Sequence, residues 1–335
     1  MDTYRYVSDK HPLNVALELS QRGQLDDAER ILRAMPSDDV RVQYNLGYYD
    51  IRAGDLLKGM EGMNAGRWIH VFGSPAASSK PIWKDQPLQN ATVLFHSEGG
   101  YGDHIINIRF AKLLYEKGAR VVVSTHPSMF SLFRQLPWIH QLVDVDTAHG
   151  VDHDYWVPAM AAPYVLGVTS IDSAPYIPRY EYEPSPKLRV GIRWSGNPKF
   201  EHEQNRRFDP QPLIDLTKLH GLEVFSFQRD DNLQDLPSSI VDLQHVLIDW
   251  TDTQKWISSM DLMITSCTSV AHLSAAMGVP TWVIVPCLPY YVWVNDTIRW
   301  YDSVRVYKQQ TFGDWSHPFR QIYADIEDKL CMRES

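Results

Sequence analysis

From residue 91 onward the chain alternates between short apolar runs and amphipathic stretches, and nearly every changeover falls on glycine, proline or small polar residues. "ATVLFH", "ARVVVST", "LRVGIRWS", "LEVFSFQ", "DLMITS" and "PTWVIVP" are continuous apolar runs of strand length, the pattern of strands buried on both faces. Between them lie helical stretches such as "IINIRFAKLLYEKG" and "SVAHLSAAMG", each closed by a glycine. Strand, helix and parallel strand in repetition permit few architectures. The pattern predicts α/β folding in two doubly wound, Rossmann-like domains, with further strands at "QLVDVD" and "DYWVPA" and helices at "PSMFSLFRQLPW", "PQPLIDLTKLHG" and "SHPFRQIYADIEDKL".

The first 66 residues read differently. Ala16, Gly23 and Ala28 stand seven and twelve apart, and Gly47, Gly54 and Gly59 repeat those offsets thirty-one residues later. Small residues at such spacings let paired helices approach closely, and the period is near the ~34 residues of the tetratricopeptide repeat. Four segments are therefore expected: 1–66, a tetratricopeptide-like helical segment; 67–90, a connector rich in Gly, Pro and Ser; 91–183, an N-terminal Rossmann-like domain; and 184–335, a C-terminal one with a closing helix.

Composition narrows the classes. With 335 residues and 44% hydrophobic content the chain can bury two or three cores, and no apolar run reaches membrane-spanning length, so a cytoplasmic location is expected. Three cysteines, Cys267, Cys287 and Cys331, provide neither a disulfide framework nor a metal-ligand spacing. A net charge of −9 argues against a general nucleic-acid coat. Lys80, Lys84, Arg109, Arg189 and Arg193 are the cations left to form a local basic face.

In open α/β sheets ligands sit beyond the carboxyl ends of strands, where helix N-termini favour anions. Three strand ends here carry unusual turns. "HSEGGYGDHI" holds Gly99, Gly100, Gly102 and, at a helix start, Asp103, which reads as an N-cap or a base. "WSGNP" places Ser195, Gly196 and Asn197 in a turn with several free donors, followed by Lys199, Arg206 and Arg207. "TSCTSVAH" lets Thr268 or Ser269 cap a helix that carries His272 one turn in. The corners are expected to share one interdomain crevice.

In order along the chain, "PIWKDQPLQNATVLFHSEGGYGDHI", "DYWVPAMAAP", "VGIRWSGNP", "VFSFQ", "MDLMITSCTSVAHLSAAMGVPTWVIVP" and "SVRVYKQQTFGDW" resemble the family-nine glycosyltransferases of heptosyltransferase type that follow tetratricopeptide repeats. The resemblance implies a GT-B fold, with an acceptor on the first domain and a nucleotide-sugar donor on the second. It implies Asp103 as general base, with His272 also in the catalytic set, and Thr268, Ser269 and His272 at a phosphate-binding helix start. Arg206 falls near the donor phosphates. The donor set is completed by Trp194, Ser195, Gly196, Asn197, Gln228, Asp252, Thr253, Cys267 and Val270. Gly99, Gly100, Gly102 and Met160 stand on the acceptor side. The strands "FSFQ" and "DWTDTQKW" are expected to hold the nucleoside, and Trp194, Tyr290 and Trp293 either stack on the ligand or pack the core. Similar chains often carry Asp where Cys267 stands.

The implied reaction is metal-independent, inverting sugar transfer from a nucleoside-diphosphate sugar, with no other cofactor. The acceptor hydroxyl belongs to a glycan, a protein side chain or a hydroxymethylated base of phage-type DNA. The helical repeats offer a surface for a protein partner. The competing reading is a catalytically inactive, transferase-like interaction module, for which Cys267 is the best support.

Overall fold

A computed structural model of the chain describes residues 10–73, 78–200, 202–229 and 236–334. The chain divides into two compact units: residues through Ser20, Gln24–Asp172 and Val294–Trp300 form the first, and Gln21–Gly23, Ser173–Trp293 and Tyr301 onward form the second.

The first unit opens with four helices, α1 (Pro12–Gln21), α2 (Leu25–Arg33), α3 (Val40–Arg52) and α4 (Leu56–Asn64). Asp39 and Asp55 start α3 and α4 by accepting the N–H groups of Arg41 and Lys58 at 2.8 and 3.1 Å. The glycine offsets now have physical meanings. Gly54 makes the α3–α4 turn at φ +96°, whereas Gly47 and Gly59 sit where α3 and α4 cross. A Cβ on Gly47 would lie 2.5 Å from the Gly59 carbonyl oxygen. Three described residues of the stretch expected to connect, Arg67, Trp83 and Leu88, are buried. Its first residues form a 3-10 turn, Ala65–Ile69, and Ile82 bridges to Trp156 on the outer edge of the first sheet.

That sheet contains β1 (Thr92–His96), β2 (Arg120–Thr125), β3 (Gln141–Asp144) and β4 (Tyr155–Pro158), all parallel in the order β3-β2-β1-β4. Between them run α5 (Tyr101–Glu116) and the single turn α6 (Phe130–Phe133), and α7 (Ala162–Val165) follows β4. The helix expected over "PSMFSLFRQLPW" shrinks to a 3-10 turn plus α6, because Pro127 opens it and Pro137 forbids its continuation.

The second unit has β5 (Leu188–Arg193), the one-turn helices α8 (Glu203–Arg206) and α9 (Gln211–Ile214), β6 (Leu222–Ser226), β7 (Ile240–Asp242), α10 (Trp250–Ser258), β8 (Leu262–Ser266), α11 (Ser269–Ala276), β9 (Thr281–Val285), β10 (Val304–Lys308) and α12 (Ser316–Glu334). Its six strands are parallel in the order β10-β9-β8-β5-β6-β7. Val190, Ile192, Leu262, Ile264, Ile284, Ile322 and Ile326 fill one core of this unit. Two expectations change here. "PQPLIDLTKLHG" yields only α9 and a 3-10 turn, and "DWTDTQKW" is not a strand but the start of α10. Asp249 caps α10 by accepting the Asp252 N–H at 2.9 Å, and Asp252 returns a carboxylate oxygen to the Asp249 N–H at 3.4 Å, a reciprocal pair that favours a helix start.

Strand order fixes where each unit can bind a ligand. In the first unit the winding reverses between β1 and β4, and in the second between β5 and β8. The turn after β1 is the glycine-rich loop, and the turns after β5 and β8 are "WSGNP" and "TSCTS".

Candidate functional site

In the second unit the corners after β5 and β8 are joined through α8. Arg206 donates from Nη1 to the Cys267 carbonyl at 2.7 Å and from Nε to the Glu203 carboxylate at 2.6 Å, with its guanidinium over the Phe200 ring. The other Glu203 oxygen accepts the Gly196 N–H at 2.5 Å. Glu203 is buried, and the sequence reading passed over it. Its signal was its place three residues before Arg206, one helical turn away.

The expected reservoir of free donors in "WSGNP" is corrected. Gln228 at the end of β6 is fully buried, and its Oε1 accepts the N–H groups of Trp194 and Ser195 at 3.3 and 3.2 Å while its Nε2 donates to the Ser195 hydroxyl at 2.7 Å. With Gly196 N–H on Glu203, three successive amides of the turn are engaged within the protein. Arg193 also braces the turn, through the carbonyls of Ser195 and Phe227 at 2.9 Å each. Asn197 is exposed and its Oδ1 accepts the Lys199 N–H at 3.0 Å. Trp194 belongs to the core of the unit, which places its ring among packed hydrophobics.

At the β8 corner, Thr268 is the N-cap residue of α11 by position, but its hydroxyl makes no capping bond and lies 3.5 Å from the Thr265 hydroxyl. Ser269 is half-buried, and Val270 is buried one residue on. Behind them four side chains form a stack. Trp293 donates its indole N–H to the Cys267 sulfur at 3.1 Å, lies parallel to the His272 ring at 5.1 Å between centroids, and the His272 Nδ1 is 3.3 Å from the Tyr301 hydroxyl. His272 is 3% exposed, so its ring packs beneath the corner. Asp252 and Thr253 are occupied at the start of α10, where the Thr253 hydroxyl donates to the Asp249 carbonyl at 3.0 Å.

In the first unit the loop after β1 curls around Asp103. Gly100, not Asp103, is the N-cap residue of α5, and its N–H donates to the Asp103 carboxylate at 2.8 Å. The carboxylate folds over Gly99, whose φ is +74° and where a Cβ would stand 2.5 Å from Asp103 Oδ2. Asp103 is half-buried, while Gly99 and Gly100 are exposed. Met160, after β4, meets this loop from the other side of the reversal: its N–H donates to Glu98 at 3.1 Å, and its sulfur accepts from Asn107 at 3.3 Å.

Two histidines missed by the sequence reading lie under the loop. His96 pairs with the Ser124 hydroxyl and His104 with the Thr125 hydroxyl, each through Nδ1 at 2.8 Å. Burial pushes His96 down to about 4, helped by the charge of Arg67. Burial also pushes His104 down to about 4, with the charges of His96 and His126 adding to it and a hydrogen bond to the Gly99 backbone opposing. Both rings are neutral at pH 7.

Of the cations considered for a basic face, Arg109 and Arg193 are buried. Arg109 spends its guanidinium on the carbonyls of Ile106, Asp172 and Trp300 at 2.9, 3.2 and 2.7 Å.

No family model matches the chain, and no curated protein matches it. Solved structures do. A glycosyltransferase of family 9 from Veillonella parvula DSM 2008 matches with a TM-score of 0.55 at 11% identity, over 75% of this chain and 100% of that one. The ADP-heptose lipopolysaccharide heptosyltransferase II of E. coli matches with a TM-score of 0.52 at 11% identity, over 73% of this chain and 100% of that one. The chain has the fold of these glycosyltransferases. The iron-containing dodecameric glycosyltransferase TibC of enterotoxigenic E. coli H10407 is also similar, with a TM-score of 0.48 at 16% identity, and the chain spans 63% of its length. No helix among the described residues is long and apolar enough to cross a membrane.

Proposed function

We propose that this chain is a glycosyltransferase that moves a sugar from a nucleoside-diphosphate donor, held by the second unit, to an acceptor hydroxyl held by the first. The observation that carries the reading is the corner at the β5/β8 reversal. There Arg206 is locked onto the Cys267 carbonyl directly before α11, so a guanidinium and a helix N-terminus stand together where a diphosphate would bind. The same fold in family-9 glycosyltransferases supports it.

In this mechanism the Asp103 carboxylate takes the proton of the acceptor hydroxyl as its oxygen attacks the anomeric carbon. The bond from that carbon to the diphosphate oxygen breaks, and its electron pair leaves on the nucleoside diphosphate. Attack opposite the leaving group inverts the sugar centre. Arg206 and the α11 N-terminus offset the charge that grows on the departing phosphate, the role a divalent cation would otherwise fill. His272, buried against both Trp293 and Tyr301, supports the corner from behind in this scheme. A glycan or protein hydroxyl is the favoured acceptor, because two of the five cations considered for a DNA groove are consumed inside the fold. The α1–α4 helices are proposed as tetratricopeptide-like hairpins.

Titration with a panel of nucleoside diphosphates followed by thermal shift tests the donor site. A binder at ~100 times its dissociation constant adds about 2.7 kcal/mol of stability. Asp103→Asn is expected to lower transfer ~100- to 10,000-fold while leaving nucleotide binding intact. Full transfer by that variant would remove Asp103 as the base, and a wild-type chain that binds no nucleotide would favour the inactive interaction module.

A further inference from the structure

The most deeply buried ion pair among the described residues takes no part in the chemistry above. Arg67, 1% exposed, sits in the 3-10 turn that ends the helical segment, and its Nη1 meets Oε1 of Glu98 in the glycine-rich loop. The second Glu98 oxygen accepts the Met160 N–H, and Arg67 Nε reaches Asn64 Oδ1 at 3.3 Å. Apart from Glu98, the two terminal nitrogens of Arg67 find no partner. Burial lowers the guanidinium to about 10, so it remains charged at neutral pH.

A second contact runs alongside the first. The Phe72 carbonyl accepts the Gly99 N–H at 3.1 Å, the Phe72 ring meets Tyr44 of α3 edge-on, and Gly66 lies so close to Tyr44 that a Cβ would stand 2.5 Å from its ring. Residues 98 and 99 are therefore gripped by residues 67 and 72, a few positions from Asp103. A buried ion pair seldom stabilises a fold more than well-packed apolar side chains of the same size, so this one is better explained by the geometry it imposes.

We propose that Arg67 is a positioning residue: through Glu98 it sets the loop 97–103, and with it the Asp103 carboxylate, so that the helical segment is part of the acceptor side of the reaction. The catalytic half of this proposal rests on Asp103 acting as the base.

The test compares the full-length wild type with Arg67→Lys, Arg67→Met and the double variant Arg67→Met/Glu98→Met, which leaves no orphaned charge. Amide hydrogen exchange over residues 97–103 is read first, since it needs no turnover. Exchange there should quicken in the double variant while the α11 amides stay as protected as in wild type. Next, kcat and donor KM are measured with the sugar nucleotide whose diphosphate binds. The double variant should lose about tenfold or more in kcat with donor KM within about twofold, and Arg67→Lys should recover part of the loss. Unchanged loop exchange, or wild-type kcat in the double variant, overturns the proposal. If loop exchange quickens but Asp103→Asn transfers sugar at the wild-type rate, the positioning of the loop stands and the assignment of the base fails.

Discussion

Adding one methyl group at Gly196 should weaken nucleotide binding. A Cβ built there lies 2.4 Å from Arg206 Nη2, 3.1 Å from its Cζ and 3.0 Å from Glu203 Oε2. Ordinary contact distances of about 3.5–4.0 Å then require the guanidinium to retreat by roughly 1 Å. A retreat of that size breaks the 2.7 Å bond to the Cys267 carbonyl, because a donor about 3.6 Å from its acceptor is no longer bonded. The same retreat also loosens the 2.6 Å bond from Arg206 to the buried Glu203, so a thermal melt is run beside the binding measurement. Arg206 is the flexible end of a partly exposed side chain, and Gly196 does not occupy the left-handed region that alanine avoids. A guanidinium–phosphate hydrogen bond contributes about 1.5–3 kcal/mol, so Gly196→Ala should raise the nucleoside-diphosphate Kd roughly 10- to 150-fold. Isothermal titration with whichever diphosphate binds the wild type measures this. Gly150→Ala, where a Cβ would meet nothing within 4 Å, is the control. A Gly196→Ala variant that binds within twofold of wild type would show that Arg206 does not hold the phosphates, and the reading of the β5/β8 corner would fall with it.

Gly59→Ala would place a Cβ 2.4 Å from Ile51 Cγ1 and 2.7 Å from the Gly47 carbonyl oxygen, so chemical denaturation should show a loss of about 1–3 kcal/mol despite alanine's helix propensity. An unchanged midpoint would mean that α3 and α4 cross less closely. The buried histidines His96 and His104 have pKa values lowered to about 4 from 6.5, so their contribution is complete above pH 6.5 and is lost as pH falls toward 4. At pH 5 this amounts to about 2 kcal/mol per histidine, and His104→Gln should flatten the fall in urea midpoint between pH 7 and 5. A thiol reagent should titrate Cys331 alone in the native chain and all three cysteines after unfolding, because Cys267 and Cys287 are buried. Rapid native labelling of a second thiol would contradict that burial.

The parallel strands were legible because a strand covered on both faces must be apolar throughout, as in "TVLFH" and "LMITS". β7 escaped the pattern because it has three residues, two of them exposed, at the edge of its sheet. Asp249 and Asp252 carried a helix-start signal that the expected strand over "DWTDTQKW" overlooked. The polar corners were visible as corners, yet their hydrogen-bond partners were not. Gln228 comes 33 residues after Ser195, and Arg67 comes 31 before Glu98, so no local spacing joins them.

The sequence by itself determined most of the strands, the longer helices and the residue types that gather at the strand ends, because periodicity and turn chemistry act over a few neighbouring residues. Tertiary structure alone decided which of those polar groups remain for a ligand. Glu203 and Gln228 engage the amides of "WSGNP", and Arg67 grips the loop that holds Asp103, because a buried donor or charge must be matched wherever in the chain its partner lies.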